Sequence, residues 1–336
     1  MKRIGGVTGI LVLVIIVTSA IDQNFISPYN IVNVLRWTGL FGLLSLGAAF
    51  PIMTGGIDLS MGSVLAFVGC FLAHFLKVQG MSIPLALVIC MIMAVTMGLM
   101  HGIIVTKFRI QPFVVTLCGL FIYRGLIRFF MNDVTQGYRN QFEGLKFLAM
   151  GRIPADIWPG GNAPVFFEDW SLPMSFLITI LIGIILAIFL NRTIYGRYIL
   201  ALGRNSEAAR FSGINTDRMV ILAYAISAAC AGLAGIFFSL DLNTIQPSTT
   251  GNMYELYAIA GAVIGGCSLR GGEGSIAGVI IGTAIVRVLY NAINILGIPT
   301  QLEFAIVGMV IMIGVGSDEV IRRISERRKL KEIINV

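Results

Sequence analysis

The 336-residue chain is 57% hydrophobic and only 12% charged, with a formal net charge of +7 and a mean hydropathy of +0.88. A soluble domain needs roughly 25% charged residues, so a soluble enzyme is excluded and lipid must solvate much of this surface. The basic residues fall in the gaps between apolar runs, which is the positive-inside pattern of a membrane protein and no sign of a nucleic-acid partner.

The chain opens with Met1-Lys2-Arg3, an apolar stretch from Ile10 to Val17 and then Thr18-Ser19-Ala20. That pattern resembles a cleavable signal peptide, but the many apolar runs behind it favour a retained first span over 5–21. The next run covers 36–54 and ends at Gly55-Gly56, where a helix must break. Asp58 follows. Its simplest role is to cap, with Ser60, the span starting near Leu59; the alternative is contact with a substrate or a gate.

Further runs cover 61–77, 84–106 and 112–131. Arg124 lies about 18 Å along the last of these from Pro112, at 1.5 Å per residue. Arg128 sits one turn further on and can snorkel to the interface. Arg124 is less easily excused, which makes it the best candidate for a pore-facing or interhelical contact. Residues 132–172 then form a long polar segment of nearly balanced charge, before a run at 173–191.

The connector 192–218 is strongly basic. Asn205 or Ser206 suits an N-cap, Glu207 the first turn, Arg210 the last turn and Gly213 a C′ stop. Such a short helix, with small Ala208 and Ala209 at its middle, can enter a groove on a partner. An ordered loop obeying the charge bias is an equal reading.

Apolar runs resume at 219–239, 255–267, 276–296 and 303–316, giving about ten in all. The run 255–267 is short and glycine-rich, so it is tilted, re-entrant or extended into its neighbours. Arg287, Asn291 and Asn294 recur at i, i+4 and i+7 and share a helix face. That stripe lines a cavity or bonds to a neighbouring helix. The cysteines Cys70, Cys90, Cys118, Cys230 and Cys267 and the lone His74 and His101 read as packing residues, since none has metal-ligand spacing.

Counting alternate gaps from Lys2 and Arg3 inward places Lys107, Arg109, Arg192, Arg197, Arg204, Arg210, Arg218, Arg270 and a basic tail over 317–336 on one side. Arg36 and Lys77 are left to the short gaps opposite. The asymmetry predicts cytoplasmic N- and C-termini, an external 132–172 segment and a crossing at 255–267.

Several blocks carry a family resemblance. Gly55-Gly56-Ile57-Asp58-Leu59-Ser60-Met61-Gly62-Ser63 resembles the GGIDLSVGS motif of permeases in bacterial ribose, galactose and xylose ABC importers. Val115-Thr116-Leu117 with Ile122-Tyr123-Arg124-Gly125-Leu126 resembles the family's VTLG…IYRGL stretch. Segment 201–214 resembles its ALGGNEEAARLSGI block. Ile264-Gly265-Gly266, Gly271 to Ser275 and Asn291 to Gly297 resemble its C-terminal signature. The blocks keep their order from about residue 40 to 316. Met61, Cys118 and Arg204 depart from the pattern, and the 132–172 insertion is long.

The resemblance implies an all-α, polytopic membrane protein of about ten transmembrane helices with the ABC importer permease fold, as one domain over 1–336. It implies an inner-membrane location, a second permease subunit (self or homologue), a cytoplasmic ATPase, an extracytoplasmic sugar-binding protein and a small sugar as cargo. By the same resemblance, 201–214 is the coupling helix, with Ser206, Glu207, Ala208, Ala209, Arg210 and Gly213 matching its block. Asp58, Arg124, Asn291 and Asn294 are the candidates for the translocation pathway or a gate.

No G-x-x-x-x-G-K-[ST] phosphate loop occurs, and the sequence has no Gly-Lys pair to hold nucleotide phosphates by backbone amides and lysine. The chain is therefore expected to be no enzyme, with no catalytic residues, metal or cofactor of its own; ATP and magnesium belong to the partner ATPase. A secondary, ion-coupled transporter also uses broken helices and buried polar residues and is the alternative. A membrane enzyme would need clustered His, Asp or Ser at one depth, and the sequence offers no such constellation.

Overall fold

The computed structural model describes residues 2–139, 141–158, 163–309, 312 and 316. Its first five helices are α1 (Lys2–Ile21), α2 (Pro28–Met53), α3 (Met61–Lys77), α4 (Ile83–Lys107) and α5 (Pro112–Met131). Proline occupies the first turn of α2, α4 and α5, where its missing N–H would have no intrahelical partner anyway. Ser27 caps α2 by accepting the Asn30 N–H, and α2 stops two residues after Pro51.

The polar segment that follows α5 holds α6 (Glu143–Met150) and α7 (Val165–Asp169). Two short antiparallel pairings of two residues each are its additions to an otherwise all-α fold. The strand β1 (Gln136–Gly137) pairs with β4 (Thr244–Ile245), and β2 (Arg152–Ile153) with β3 (Leu172–Pro173). The fully buried Tyr138 plugs this segment onto the bundle through a 2.8 Å bond to Ser239.

The remaining helices are α8 (Met174–Arg192), α9 (Ile194–Arg204), α10 (Ser206–Phe211), α11 (Thr216–Asp241), α12 (Tyr254–Ile264) and α13 (Ile276–Ile295). Residues 303–309 are helical as well. Among the described residues, α2, α4, α5, α8, α11 and α13 are long and apolar enough to cross a membrane. Gly5–Ile21, α3 and α12 are shorter apolar helices. Most of the second half of the predicted 303–316 span and the basic tail over 317–336 lie outside the described residues.

Two layers separate by burial. In α2, α11 and α13, 61% of the most apolar window is buried, against 22–28% in α4, α5 and α8. The inner helices form the core, with α11 packed along α2, α3 and α4. The outer ones turn Ile, Leu and Phe outward, as on α8 at Leu181, Ile184, Ile185 and Ile188. Cys118 is exposed in this outer layer, unlike the other four cysteines.

The ends of the bundle follow from contacts. The Met53 carbonyl accepts the Gly272 N–H at 2.8 Å, and Lys107 pairs with Asp217 at 3.4 Å. The end of α2, the end of α4, the start of α11 and the 271–272 turn therefore share one end with α9 and α10. The β1–β4 pairing, the 2.7 Å Lys77–Gln141 bond and the 3.5 Å Arg36–Asp241 pair lie at the other. The chain between β4 and residue 272 thus passes from end to end, but α12 makes only about 16 Å of it as helix. Residues 246–253 supply the rest without regular structure.

Candidate functional site

The first interrupted crossing lies between α2 and α3. Gly55 takes φ +84, a conformation open to glycine at no steric cost. The chain then runs unwound to Ser60. Asp58, 2% exposed, accepts from the Ser60 N–H at 3.0 Å and the Ser60 hydroxyl at 2.6 Å on one oxygen, and from the Ser227 hydroxyl at 2.8 Å on the other. Asp58 is not the N-cap of α3. Ser60 holds that position, without a side-chain cap bond, and Asp58 ties the unwound strand to α11 instead.

The network continues outward from Ser60. His101 Nδ1 lies 3.4 Å from the Ser60 hydroxyl, and its Nε2 lies 3.0 Å from the Tyr123 hydroxyl. A Cβ on Gly119 would come within 2.3 Å of that ring nitrogen, so glycine there admits the imidazole. Thr116 and Tyr224 hydroxyls donate to the Ile57 carbonyl at 3.2 and 3.3 Å. The Ile57 carbonyl thereby finds partners on α5 and α11, as non-helical backbone at membrane depth requires. The sequence reading took His101 for a packing residue, named Tyr123 only within a motif and passed over Tyr224 and Ser227, because their partners lie on other helices.

The second interruption precedes α12. Gly251 and Met253 take φ +78 and +65. Arg124 Nη1 donates to the Pro247 carbonyl at 2.9 Å and the Thr250 carbonyl at 2.7 Å, so this arginine clamps the unwound chain.

The two interruptions meet. A Cβ on Gly62 would lie 2.2 Å from the Gly251 carbonyl and 2.3 Å from a carboxyl oxygen of Glu255, itself 7% exposed. The N-terminal ends of α3 and α12 therefore converge, with Asp58 before one and Glu255 in the first turn of the other. The partial positive charge of a helix N-terminus favours carboxyls there. Glycine- or proline-interrupted apolar segments in both halves of the chain were the available signal.

The polar stripe on α13 splits. Asn291 and Asn30 exchange amide bonds at 2.7 and 2.9 Å, joining α13 to α2. Asn294 is exposed and donates to the Tyr290 carbonyl of its own helix. Arg287, 5% exposed, sits among aromatic rings.

The connector forms two helices: the short one expected from a cap at Asn205 or Ser206 to Gly213 is α10, while residues 201–204, which the resemblance counted in the same coupling helix, belong to α9. Asn205 adopts φ −159 and its side chain accepts the Ala208 N–H at 2.9 Å, which ends α9 and starts α10. Gly213 at φ +82 stops α10, with Gly213 N–H on Arg210 O and Ile214 N–H on Ala209 O. Ser206, Glu207, Ala208, Arg210 and Gly213 are exposed, whereas Ala209 is buried. Phe211, which the sequence reading did not single out, is 92% exposed. Behind it, a Cβ on Gly203 would lie 1.9 Å from the Met53 carbonyl and 2.3 Å from the Gly272 nitrogen. The connector thus abuts the end of α2, directly before the Gly55–Ser60 interruption.

Comparison with known proteins adds to this geometry. Residues 30–315 match the family model described as branched-chain amino acid transport system / permease component. The chain is 34% identical over 317 residues to the ribose import permease protein RbsC of Bacillus subtilis (strain 168), covering 94% of this chain and 92% of that protein. Its identity is 33% over 310 residues to the RbsC protein of Escherichia coli (strain K12), covering 91% and 90%. It is 30% over 363 residues to the xylose transport system permease protein XylH of the same strain, covering 94% and 91%. No solved structure matches the chain.

Proposed function

The chain belongs to the branched-chain amino acid transport system / permease component family, and from that premise we propose that it is the membrane-spanning subunit of an ATP-driven importer for a monosaccharide. The ribose and xylose permeases it resembles support a sugar as cargo. The observation that carries the reading is the connector. Its α10 helix offers Phe211 and charged ends to a partner, while Gly203 rests on the end of α2.

In this reading the α10 end of the bundle is cytoplasmic, as are both termini, and the 132–172 segment faces outward to a sugar-binding protein. About ten helices cross the inner membrane. A second permease subunit, self or homologue, completes the path. An ATPase subunit docks on Ser206 to Gly213 and supplies ATP and magnesium, so the permease itself needs no cofactor. Closure of the ATPase pair displaces α9 and α10 as a rigid unit. The shift passes through the backbone contact at Gly203 to Met53, and from there to the unwound strand that Asp58 holds against α11. No covalent chemistry takes place in this subunit.

A secondary transporter is the second reading, favoured by two half-crossings whose helix N-termini converge beside buried Asp58 and Glu255 in the manner of ion-coupled carriers. Vesicles decide between them. The importer reading expects uptake of D-ribose or D-xylose only with ATP, the ATPase and the binding protein present. Accumulation by this chain alone on a proton or sodium gradient would overturn it.

A further inference from the structure

Halfway along α13, about 16 Å from its first residue, Arg287 is buried to 5% exposure with no ion pair described. Its guanidinium carbon lies 3.9 Å from the Phe41 ring centre, 4.9 Å from Tyr290 and 5.1 Å from Tyr257. Nε and Nη2 have no hydrogen-bond partner among the described residues. Cation–π contacts of about 2 kcal/mol each when desolvated offset part of the burial, but they leave Nε and Nη2 without an acceptor. An unsatisfied buried donor in a native fold calls for a reason. Glu303, an acidic group nearby, receives the Tyr257 hydroxyl.

The rings around this guanidinium are not sealed in. Tyr290 is 37% exposed, and Trp37, Tyr254 and Tyr257 are half-buried. Phe41 is the hub, 4.9 Å from Tyr254, 6.0 Å from Tyr257 and 6.2 Å from Trp37. Half-buried and partly exposed aromatic rings thus surround two buried donors that have no partner among the described residues. A monosaccharide ring matches both features, with an apolar C–H face for the rings and vicinal hydroxyl oxygens for a guanidinium fork. Few precisely placed polar groups among aromatic walls is the usual make-up of a small-molecule site.

We propose that Arg287, Phe41, Tyr257 and Tyr290 form the intramembrane subsite through which the sugar passes, its vicinal oxygens on Nε and Nη2 and its C–H face on a tyrosine ring. The proposal rests on the importer reading and locates its cargo. Asn291, held by Asn30 one turn away, positions the α13 face against α2 and does not itself touch the sugar.

The test uses the assembled importer in vesicles, with its ATPase and binding protein, and D-ribose and D-xylose as probes. Arg287→Met is expected to lower sugar uptake by about tenfold or more, a loss of about 1.4 kcal/mol in transition-state binding. ATP hydrolysis stimulated by the binding protein persists in that complex, and Arg287→Lys restores part of the uptake. Tyr290→Leu, at the open rim, also lowers uptake and decides the matter if Arg287→Met does not assemble. Wild-type uptake in either assembled variant overturns the subsite, as does a loss of uptake in Tyr290→Leu that only tracks the loss of assembled complex. Failure of the unmutated importer to move either sugar on ATP counts against the importer reading itself and removes the subsite with it.

Discussion

Phe211→Ala tests the connector most directly. The side chain is 92% exposed at the end of α10, so it contributes almost nothing to the fold of the isolated chain. Fully burying a phenylalanine side chain is worth roughly 1.5–3 kcal/mol. If the ATPase groove covers it, its loss weakens docking by that amount, a rise in Kd of roughly 10- to 150-fold at 1.4 kcal/mol per decade. Exposed substitutions away from caps and strained backbone shift stability by about 0.5 kcal/mol or less, so the unfolding midpoint should stay where it is. The assay is titration of the ATPase onto the permease in lipid nanodiscs, beside a thermal melt of the permease alone. Phe211→Leu, which keeps most of the apolar area, should fall between the two. An unchanged Kd for Phe211→Ala refutes the reasoning, as does a weakened Kd that merely follows a lowered melting point.

The other expectations concern the route inward from that connector. Gly203→Ala places a methyl 1.9 Å from the Met53 carbonyl, backbone that cannot swing away; ATP hydrolysis should continue while sugar uptake falls, read from the ratio of the two rates. Arg124→Met leaves the Pro247 and Thr250 carbonyls without their donor, at about 1–3 kcal/mol for each unsatisfied group. Arg124→Lys should retain about half of that stability because its single ammonium lacks the planar fork, as detergent melts would reveal. Arg128 donates to both carboxyl oxygens of Asp133 at 2.7–3.0 Å and holds that carboxyl below the usual carboxylate range. The folded value is depressed, so the contact's contribution is present above the ordinary carboxylate value of about 3.9 and is lost as pH falls through the lower folded value. Carboxyl NMR of Asp133 should show the titration move up in Arg128→Gln, and no movement would remove the contact from consideration.

Hydropathy alone placed most of the helices well. The expected runs at 61–77 and 112–131 coincide with α3 and α5, and 84–106 falls one residue short at each end of α4. The break after Gly55-Gly56 was legible because glycine and proline act on their own backbone. So were the Asn205 cap and the Gly213 stop, which bond within three to five residues. What was not foreseen is α9 ahead of that cap, so the 201–214 block that the resemblance took as one helix spans the end of α9 and all of α10. Asp58 read as a cap because its nearest partner, Ser60, is local; Ser227, 169 residues away, is what makes it an interhelical tie.

The amino-acid sequence by itself therefore determined which stretches leave water and where their helices begin and break, since those depend on composition and on bonds between near neighbours. Only the tertiary structure decided which helices lie inside, that the starts of α3 and α12 meet at Gly62 and Gly251, and that Asn291 faces Asn30 across 261 residues. In lipid every helix is apolar on most faces, so hydrophobic periodicity carries little information about neighbours, and association rests on close packing and interhelical hydrogen bonds. Those forces act between surfaces that the linear order of residues does not bring together.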